Sequence, residues 1–153
     1  MRYRPTSVLP LFLLVLLSLL PCAAAIDLER GKIDGAHFTI AQDNSIKWNR
    51  SVLLIAHGYR PESAPLVADL FPEQAAYSTL LAEGWIVAKT SYRRNGIIVA
   101  DAIEDLANLR SHIVDQKGRP RRVLIEGDSM GGTIATHLME QEGSNYHGAI
   151  AIG

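Results

Sequence analysis

The chain has a single cysteine, Cys22, among its 153 residues, so it cannot form an internal disulfide. It also lacks cysteines and histidines at metal-ligand spacing, a phosphate-binding glycine loop, and any internal repeat. Opposite charges nearly cancel, at a net charge of −1, and no basic run suggests a nucleic-acid partner. Apolar residues make up 48% of the chain. We therefore expect one domain that is stabilised by its hydrophobic core, with no metal and no nucleic acid.

The first 25 residues have the layout of a signal peptide. Arg2 and Arg4 precede an apolar run over residues 11–20, and three alanines close the segment at Ala25. The apolar run is too short for a stable membrane span, which needs about 20 residues. We therefore expect cleavage after Ala25, a secreted or periplasmic protein, and a single domain over residues 26–153. The alternatives are an uncleaved anchor or a lipid anchor on Cys22, although Pro21 fits a lipoprotein signal poorly.

Apolar strands alternate with helical segments through the rest of the chain. We expect a first hairpin, with a strand at 36–40 paired to 45–48 across Asp43 and Asn44. Apolar runs predict strands at 51–56, 85–90, 123–126 and 149–152. The lack of alternation at 51–56 suggests burial on both faces of that strand, and the strand at 149–152 is also expected to be buried. Helical spacing predicts helices at 73–82, 97–115 and 133–141. This order predicts an α/β fold with a mostly parallel sheet and helices on both faces.

The most informative motif is Gly127-Asp128-Ser129-Met130-Gly131, which follows a predicted strand and precedes a predicted helix. A Gly-x-Ser-x-Gly sequence in that setting is typical of a nucleophile turn that exposes the serine hydroxyl. Side chains at the two glycine positions would collide with the adjoining strand and helix. Ser129 is therefore the candidate nucleophile, and we expect Asp128 to make local hydrogen bonds only.

A second motif, His57-Gly58-Tyr59, directly follows the buried strand at 51–56. In such sheets the loops at the carboxyl ends of the strands face one crevice. The backbone N–H groups of Tyr59 and Met130 are therefore the candidate donors to a developing oxyanion. His57 is expected to shape this loop and not to act as the general base.

With the motifs at Ser91-Tyr92 and Trp48-Asn49, these features resemble the amino-terminal part of an α/β-hydrolase, from about residue 36 to residue 153. The resemblance implies a Ser–Asp/Glu–His triad in that chain order, no cofactor, and a small ester or peptide substrate. Only 24 residues follow Ser129, and none is an aspartate. The resemblance therefore implies that the acid and the histidine lie beyond Gly153, and that the fold is cut after the strand that follows the nucleophile helix. We expect the 153-residue chain itself to be inactive and poorly soluble.

The sequence leaves the roles of several other histidines and arginines, and several alternative functions, undecided. His137 and His147 follow Ser129 but are poorly placed for catalysis, and His37 and His112 are expected to be structural. Arg60, Arg93 and Arg94 could bind an anionic substrate group, although solvated loop charges are the favoured interpretation. The leading hypothesis is an exported serine hydrolase. The alternatives are a non-catalytic binding protein with the same fold, a truncated remnant, or an acyltransferase.

Overall fold

A computed structural model describes residues 26–153, so the predicted signal peptide lies outside the described residues. Its strands are β1 (Ile26–Ile33), β2 (Ala36–Asp43), β3 (Ser51–Ala56), β4 (Ile86–Thr90), β5 (Arg122–Asp128) and β6 (Gly148–Ile152). Its helices are α1 (Ala75–Ala82), α2 (Val99–Lys117) and α3 (Met130–Gln141).

The six strands form one sheet in the order β1-β2-β4-β3-β5-β6. Strand β3 lies between β4 and β5 and is parallel to both, and β6 adds to β5 in parallel. Strands β1 and β2 form an antiparallel pair at the opposite edge, where β2 joins β4. The predicted mostly parallel α/β sheet is confirmed, and the apolar sequence of β3 agrees with its burial on both faces.

The predicted position of the first hairpin was wrong. Strand β2 pairs with β1, which the sequence analysis missed, across a turn at Asp34 and Gly35. Both turn residues have positive φ, at 46° and 94°, as a type I′ hairpin turn requires. Residues 45–48 form no strand, because the Asp43 carboxylate accepts hydrogen bonds from the backbone N–H and hydroxyl of Ser45 and holds a local turn.

Helices cover both faces of the sheet, as predicted. On one face α2 and α3 pack over the centre of the sheet and bury side chains such as Leu106, Ile113 and Leu138. On the other face α1 buries Leu81 against a smaller cluster that includes Leu53 and Val87. The sheet thus lies between two apolar layers, and the loops at its carboxyl edge extend from it.

Strand β6 is exposed, contrary to the expectation that it is buried. Residues 149–152 are all solvent-exposed, and Ile150 and Ile152 keep 57% and 52% of their surface. The strand pairs with β5 on one side only, and α3 is the helix that packs closely against it.

Of the helices within residues 26–153, none is long and apolar enough to cross a bilayer.

Candidate active site

Ser129 lies at the sharp turn between the end of β5 and the start of α3. Its backbone has φ 52° and ψ −122°, a left-handed conformation that a non-glycine residue adopts only under strain. Its backbone N–H donates to the carbonyl of Ile152 at 2.7 Å, and its own carbonyl accepts from the N–H of Gly132 at 2.9 Å. The residue is solvent-exposed. The strained turn therefore holds the serine side chain at the carboxyl edge of the sheet, open to solvent.

The glycines around Ser129 are required by close backbone contacts. A Cβ on Gly127 would collide with the backbone of Gly131 and Gly132 in the first turn of α3. A Cβ on Gly131 would collide with the carbonyl of Ala56 at the end of β3. These contacts let the helix start lie directly against two strands, which is the reason that the motif needs glycine on each side of the serine.

The loop that follows β3 lies beside Ser129. A Cβ built on Gly58 would lie 3.2 Å from the carbonyl oxygen of Asp128 and 3.3 Å from Cβ of Ser129. Tyr59 follows in this loop and is 55% exposed. Met130 is the first residue of α3, so its N–H is among the helix amides that have no partner within the helix. Both backbone segments that would supply oxyanion donors therefore flank Ser129.

His57 joins this loop to the one that follows β4. Its ring nitrogens Nδ1 and Nε2 lie 2.7 Å from the Gly58 carbonyl and 3.2 Å from the Ser91 carbonyl. Its ring stacks on that of Tyr92 at 4.1 Å between centroids, and the Tyr92 hydroxyl donates to the His57 carbonyl at 3.2 Å. Burial outweighs the two carbonyl contacts and lowers the pKa of His57, so the neutral ring is favoured.

Two more histidines hydrogen-bond to groups away from Ser129. Nε2 of His112 lies 3.0 Å from the Glu29 carboxylate, which joins α2 to the edge strand β1. Nδ1 of His147 accepts from the backbone N–H of Val123 at 3.2 Å, at the opposite end of β5 from Ser129. These contacts are those of structural histidines.

His137 is the histidine that shares a cavity with Ser129. Ser129, His137 and the end of β6 line a cavity of about 380 Å³. His137 lies eight residues after Ser129 along α3, which is about 12 Å at 1.5 Å per residue and too far for direct proton transfer. His37, the remaining histidine, lies on the distant edge hairpin. Within residues 26–153, no histidine is thus placed as a general base.

Asp128 faces a different cavity, on the α1 side of the sheet. This cavity of about 210 Å³ is also lined by His57, Tyr77, Lys89 and Glu126. The Tyr77 hydroxyl donates to the Glu126 carboxylate at 3.3 Å. Burial and the nearby Glu126 carboxylate raise the pKa of Tyr77 to about 12, so the phenol is protonated at neutral pH.

The three loop arginines are already paired with carboxylates. Arg93 pairs with the buried Asp105 at 2.6 Å, and Arg94 pairs with Asp101. Arg60 donates to Asp69 at 2.6 Å. These pairs brace the loops, and they favour the structural interpretation of the arginines over a role as free anion-binding groups.

Lys89, which the sequence analysis did not single out, completes the brace at Asp69. Its ammonium lies 3.0 Å from the Asp69 carboxylate and donates to the Asp69 carbonyl at 2.9 Å. Burial acts to raise the pKa of Asp69, but hydrogen bonds from Arg60 and Lys89 hold it below its ordinary value. The sequence did hold a signal for Lys89, because it is a charged residue near the carboxyl end of an otherwise apolar strand. Glu126 occupies the same kind of position on β5.

The described fold resembles those of several solved hydrolases. A post-proline cleaving enzyme from Rickettsia typhi superposes with a TM-score of 0.64 at 15% identity, covering 83% of this chain and 21% of that one. Brefeldin A esterase, a bacterial homologue of human hormone-sensitive lipase, gives a TM-score of 0.60 at 18% identity, covering 86% and 41%. An esterase of Pyrococcus furiosus gives 0.60 at 16% identity, covering 84% and 51%. No protein-family model and no curated protein matches the chain.

These structural similarities, all below 25% sequence identity, show which fold the chain has. The chain has the α/β-hydrolase fold, as its nucleophile-turn motif implied, and it spans between about a fifth and a half of the length of those structures.

Proposed function

We propose that this chain, which has the α/β-hydrolase fold, carries the nucleophile of a serine hydrolase, and that Ser129 attacks an ester or amide carbonyl. The observation that carries this proposal is the strained, exposed turn of Ser129 between β5 and α3. Strain of this kind costs about 1–3 kcal/mol and persists where the surrounding structure enforces it, commonly at functional sites. The glycine contacts around Ser129 supply that enforcement.

The same turn arranges the groups that would stabilise the reaction. As the Ser129 oxygen adds to the carbonyl carbon, the carbonyl oxygen becomes an oxyanion. The N–H groups of Tyr59 and Met130 donate to that oxyanion, and each such donor contributes about 3 kcal/mol in typical enzymes. Collapse of the intermediate expels the alcohol or amine and leaves an acyl group on Ser129, which water then removes.

The serine hydroxyl needs a base, and we propose that the base and its acid come from outside residues 26–153. This follows from the described histidines, which are either engaged elsewhere or too distant from Ser129. His57 is the nearest in sequence to the proposed oxyanion loop, but both of its nitrogens face carbonyl oxygens. Its contribution is to hold Gly58 and Tyr59 beside the nucleophile.

We propose a small ester or peptide substrate and no cofactor. The similar structures include esterases and a post-proline cleaving enzyme, so both bond types occur among proteins with this fold arrangement. Hydrolysis needs only the serine, its base and the oxyanion donors, so none of these steps calls for a cofactor.

The test is turnover by the complete gene product. We expect it to hydrolyse a p-nitrophenyl ester or a peptide anilide, and we expect Ser129→Ala to abolish turnover. Ser111→Ala, which removes an exposed hydroxyl on α2, is the matched control and should leave the rate unchanged. Equal rates for the wild type and Ser129→Ala would refute the role of Ser129.

A second function has one observation in its favour. Because no histidine of residues 26–153 is placed as a base for Ser129, a non-catalytic binding protein with this fold is the rival proposal. A folded gene product that binds substrate-like ligands without turnover would support it. Product analysis separates the remaining alternative, since an acyltransferase would pass the acyl group to an acceptor other than water.

We also propose that residues 1–25 direct export and are then removed. Amino-terminal sequencing of the mature protein should begin at Ile26. A mature chain that begins at a lipid-modified Cys22 would instead indicate a lipid anchor, and retention of Met1 would contradict cleavage.

A further inference from the structure

One cavity of the described residues lies away from Ser129, against the edge hairpin. It is an open groove of about 680 Å³ between the β1–β2 hairpin and the loop at 66–71. The Thr39 hydroxyl donates to the Ala68 carbonyl at 2.8 Å and ties the loop to the hairpin. The groove volume lies within the range of about 300–1,000 Å³ that is usual for small-molecule sites.

One side of the groove is basic. Arg30 and Lys32 are two residues apart on β1, so their side chains leave the same face of the sheet. Lys32 pairs across the hairpin with His37, and Arg30 pairs with Thr39, so these side chains are neighbours. Both Arg30 and Lys32 are solvent-exposed, and neither takes part in an ion pair within residues 26–153.

The one carboxylate that lines the groove does not neutralise this basic side. Asp69 lies in the loop wall, where its carboxylate already binds Arg60 at 2.6 Å and Lys89 at 3.0 Å. Both cations belong to the loop brace and neither lines the groove. The groove therefore keeps a net positive charge from Arg30 and Lys32.

The facing side of the groove is apolar. Val67 and Phe71 keep 44% and 50% of their surface exposed. Leu66 and Leu70, which directly precede them in the same loop, also line the groove. Exposed large apolar side chains that are grouped along one wall of a groove indicate a ligand surface, because single scattered ones are the norm elsewhere.

We propose that this groove binds a small amphipathic carboxylate, with its anionic head on Arg30 and Lys32 and its alkyl chain along Val67 and Phe71. Opposed basic and apolar walls match the two ends of such a molecule. A carboxylate can accept hydrogen bonds from both cations, and the alkyl chain removes the exposed side chains of the loop from water.

The basic side of the groove is distant from the proposed nucleophile, whereas its apolar wall reaches the cavity that Asp128 lines, because Leu70 and Phe71 line both. Strand β2 lies three strands from β5, which is about 14 Å at the usual strand spacing of about 4.8 Å. Binding therefore does not depend on whether Ser129 is catalytic. Measuring it in the Ser129→Ala background keeps a failure of this proposal distinct from a failure of the hydrolase proposal.

The test is calorimetric titration of the complete gene product, carrying Ser129→Ala, with monomeric dodecanoate below its micelle concentration. We expect the double variant R30Q/K32Q to weaken binding by at least about tenfold, which is about 1.4 kcal/mol, because it removes both cations from the carboxylate head. The control variant K117Q/R121Q removes two exposed cations elsewhere and should leave the affinity unchanged. The single variants R30Q and K32Q should each show a smaller loss.

The apolar wall has its own test. Val67→Ser with Phe71→Ser should reduce the preference for dodecanoate over butanoate while leaving butanoate binding unchanged. Dodecyltrimethylammonium, which has the opposite head charge, should bind more weakly than dodecanoate.

Three results would overturn the proposal. These are an unchanged dodecanoate affinity in R30Q/K32Q, equal binding of dodecyltrimethylammonium and dodecanoate, and binding to anionic phospholipid vesicles with none to monomeric dodecanoate. The last would indicate a lipid surface and not a small ligand.

Discussion

The effect of replacing Gly127 with alanine follows most directly from the backbone packing at the Ser129 turn. Gly127 lies near the end of β5, and an added Cβ would collide with the backbone of Gly131 and Gly132. Backbone atoms cannot rotate away as a flexible side chain can. Relief therefore requires α3 to move away from β5, or the turn at Ser129 to change.

The change in the free energy of unfolding of Gly127→Ala is the balance of a steric cost in the folded state and an opposing entropic effect in the unfolded state. Overpacking in a well-packed interior costs about 1–3 kcal/mol, and a backbone collision belongs at the upper end. Alanine also lowers the conformational entropy of the unfolded chain, which raises the free energy of unfolding by about 0.4–1 kcal/mol. The net loss is about 2 kcal/mol in the free energy of unfolding, or about 8 °C in Tm for a domain of this size.

Gly148→Ala is the matched control, because Gly148 lies in the adjacent strand β6. The nearest atom to its added Cβ is Cδ2 of Leu124 at 3.2 Å, the end of a side chain that can rotate. We expect a change within about 0.5 kcal/mol. Thermal unfolding followed by circular dichroism measures both variants, and equal Tm values for Gly127→Ala and Gly148→Ala would refute the packing described for the turn.

Three further predictions concern other parts of the molecule. Burial lowers the pKa of His57 in the folded state, so the unfolded chain binds a proton on His57 more readily. The free energy of unfolding should therefore be highest above the unfolded-state pKa of about 6.5, and it should decrease as the pH falls from there through the lower folded-state pKa. Urea unfolding at neutral and mildly acidic pH measures this, and a loss as steep in His57→Gln as in the wild type would contradict it. Ile150→Lys should reduce concentration-dependent association of residues 26–153, measured by light scattering, because it places a charge on the exposed edge strand β6; unchanged association would show that β6 is not the contact. Residues 26–153 alone should show no esterase turnover, because none of their histidines is placed as a base for Ser129, and turnover that Ser129→Ala abolishes would show that a base lies within them.

The part of the fold that sequence reasoning predicted well is the part under the tightest local constraint. Gly127 and Gly131 are needed by backbone contacts that hardly any other residue satisfies, so the motif and the turn correspond closely. The strand β3 was predicted correctly because burial on both faces leaves a continuous apolar run.

The errors arose where a local signal competes with another or depends on distant elements. Asp43-Asn44 and Asp34-Gly35 both carry turn chemistry, and only the second has a strand on each side to pair. The exposure of Ile150 and Ile152 depends on what packs beside β6, which an apolar run does not encode. Lys89 is 20 residues from Asp69 in sequence and lies on β4, so only the folded sheet brings it to the Arg60–Asp69 pair.

The central claim is that Ser129 is the nucleophile, and covalent labelling tests it most directly. The complete gene product is treated with a fluorophosphonate, and the modified peptide is located by mass spectrometry. The account predicts one adduct on the peptide that contains Ser129, absent from Ser129→Ala and present in Ser111→Ala. A folded protein that gains no adduct on Ser129 would contradict the claim.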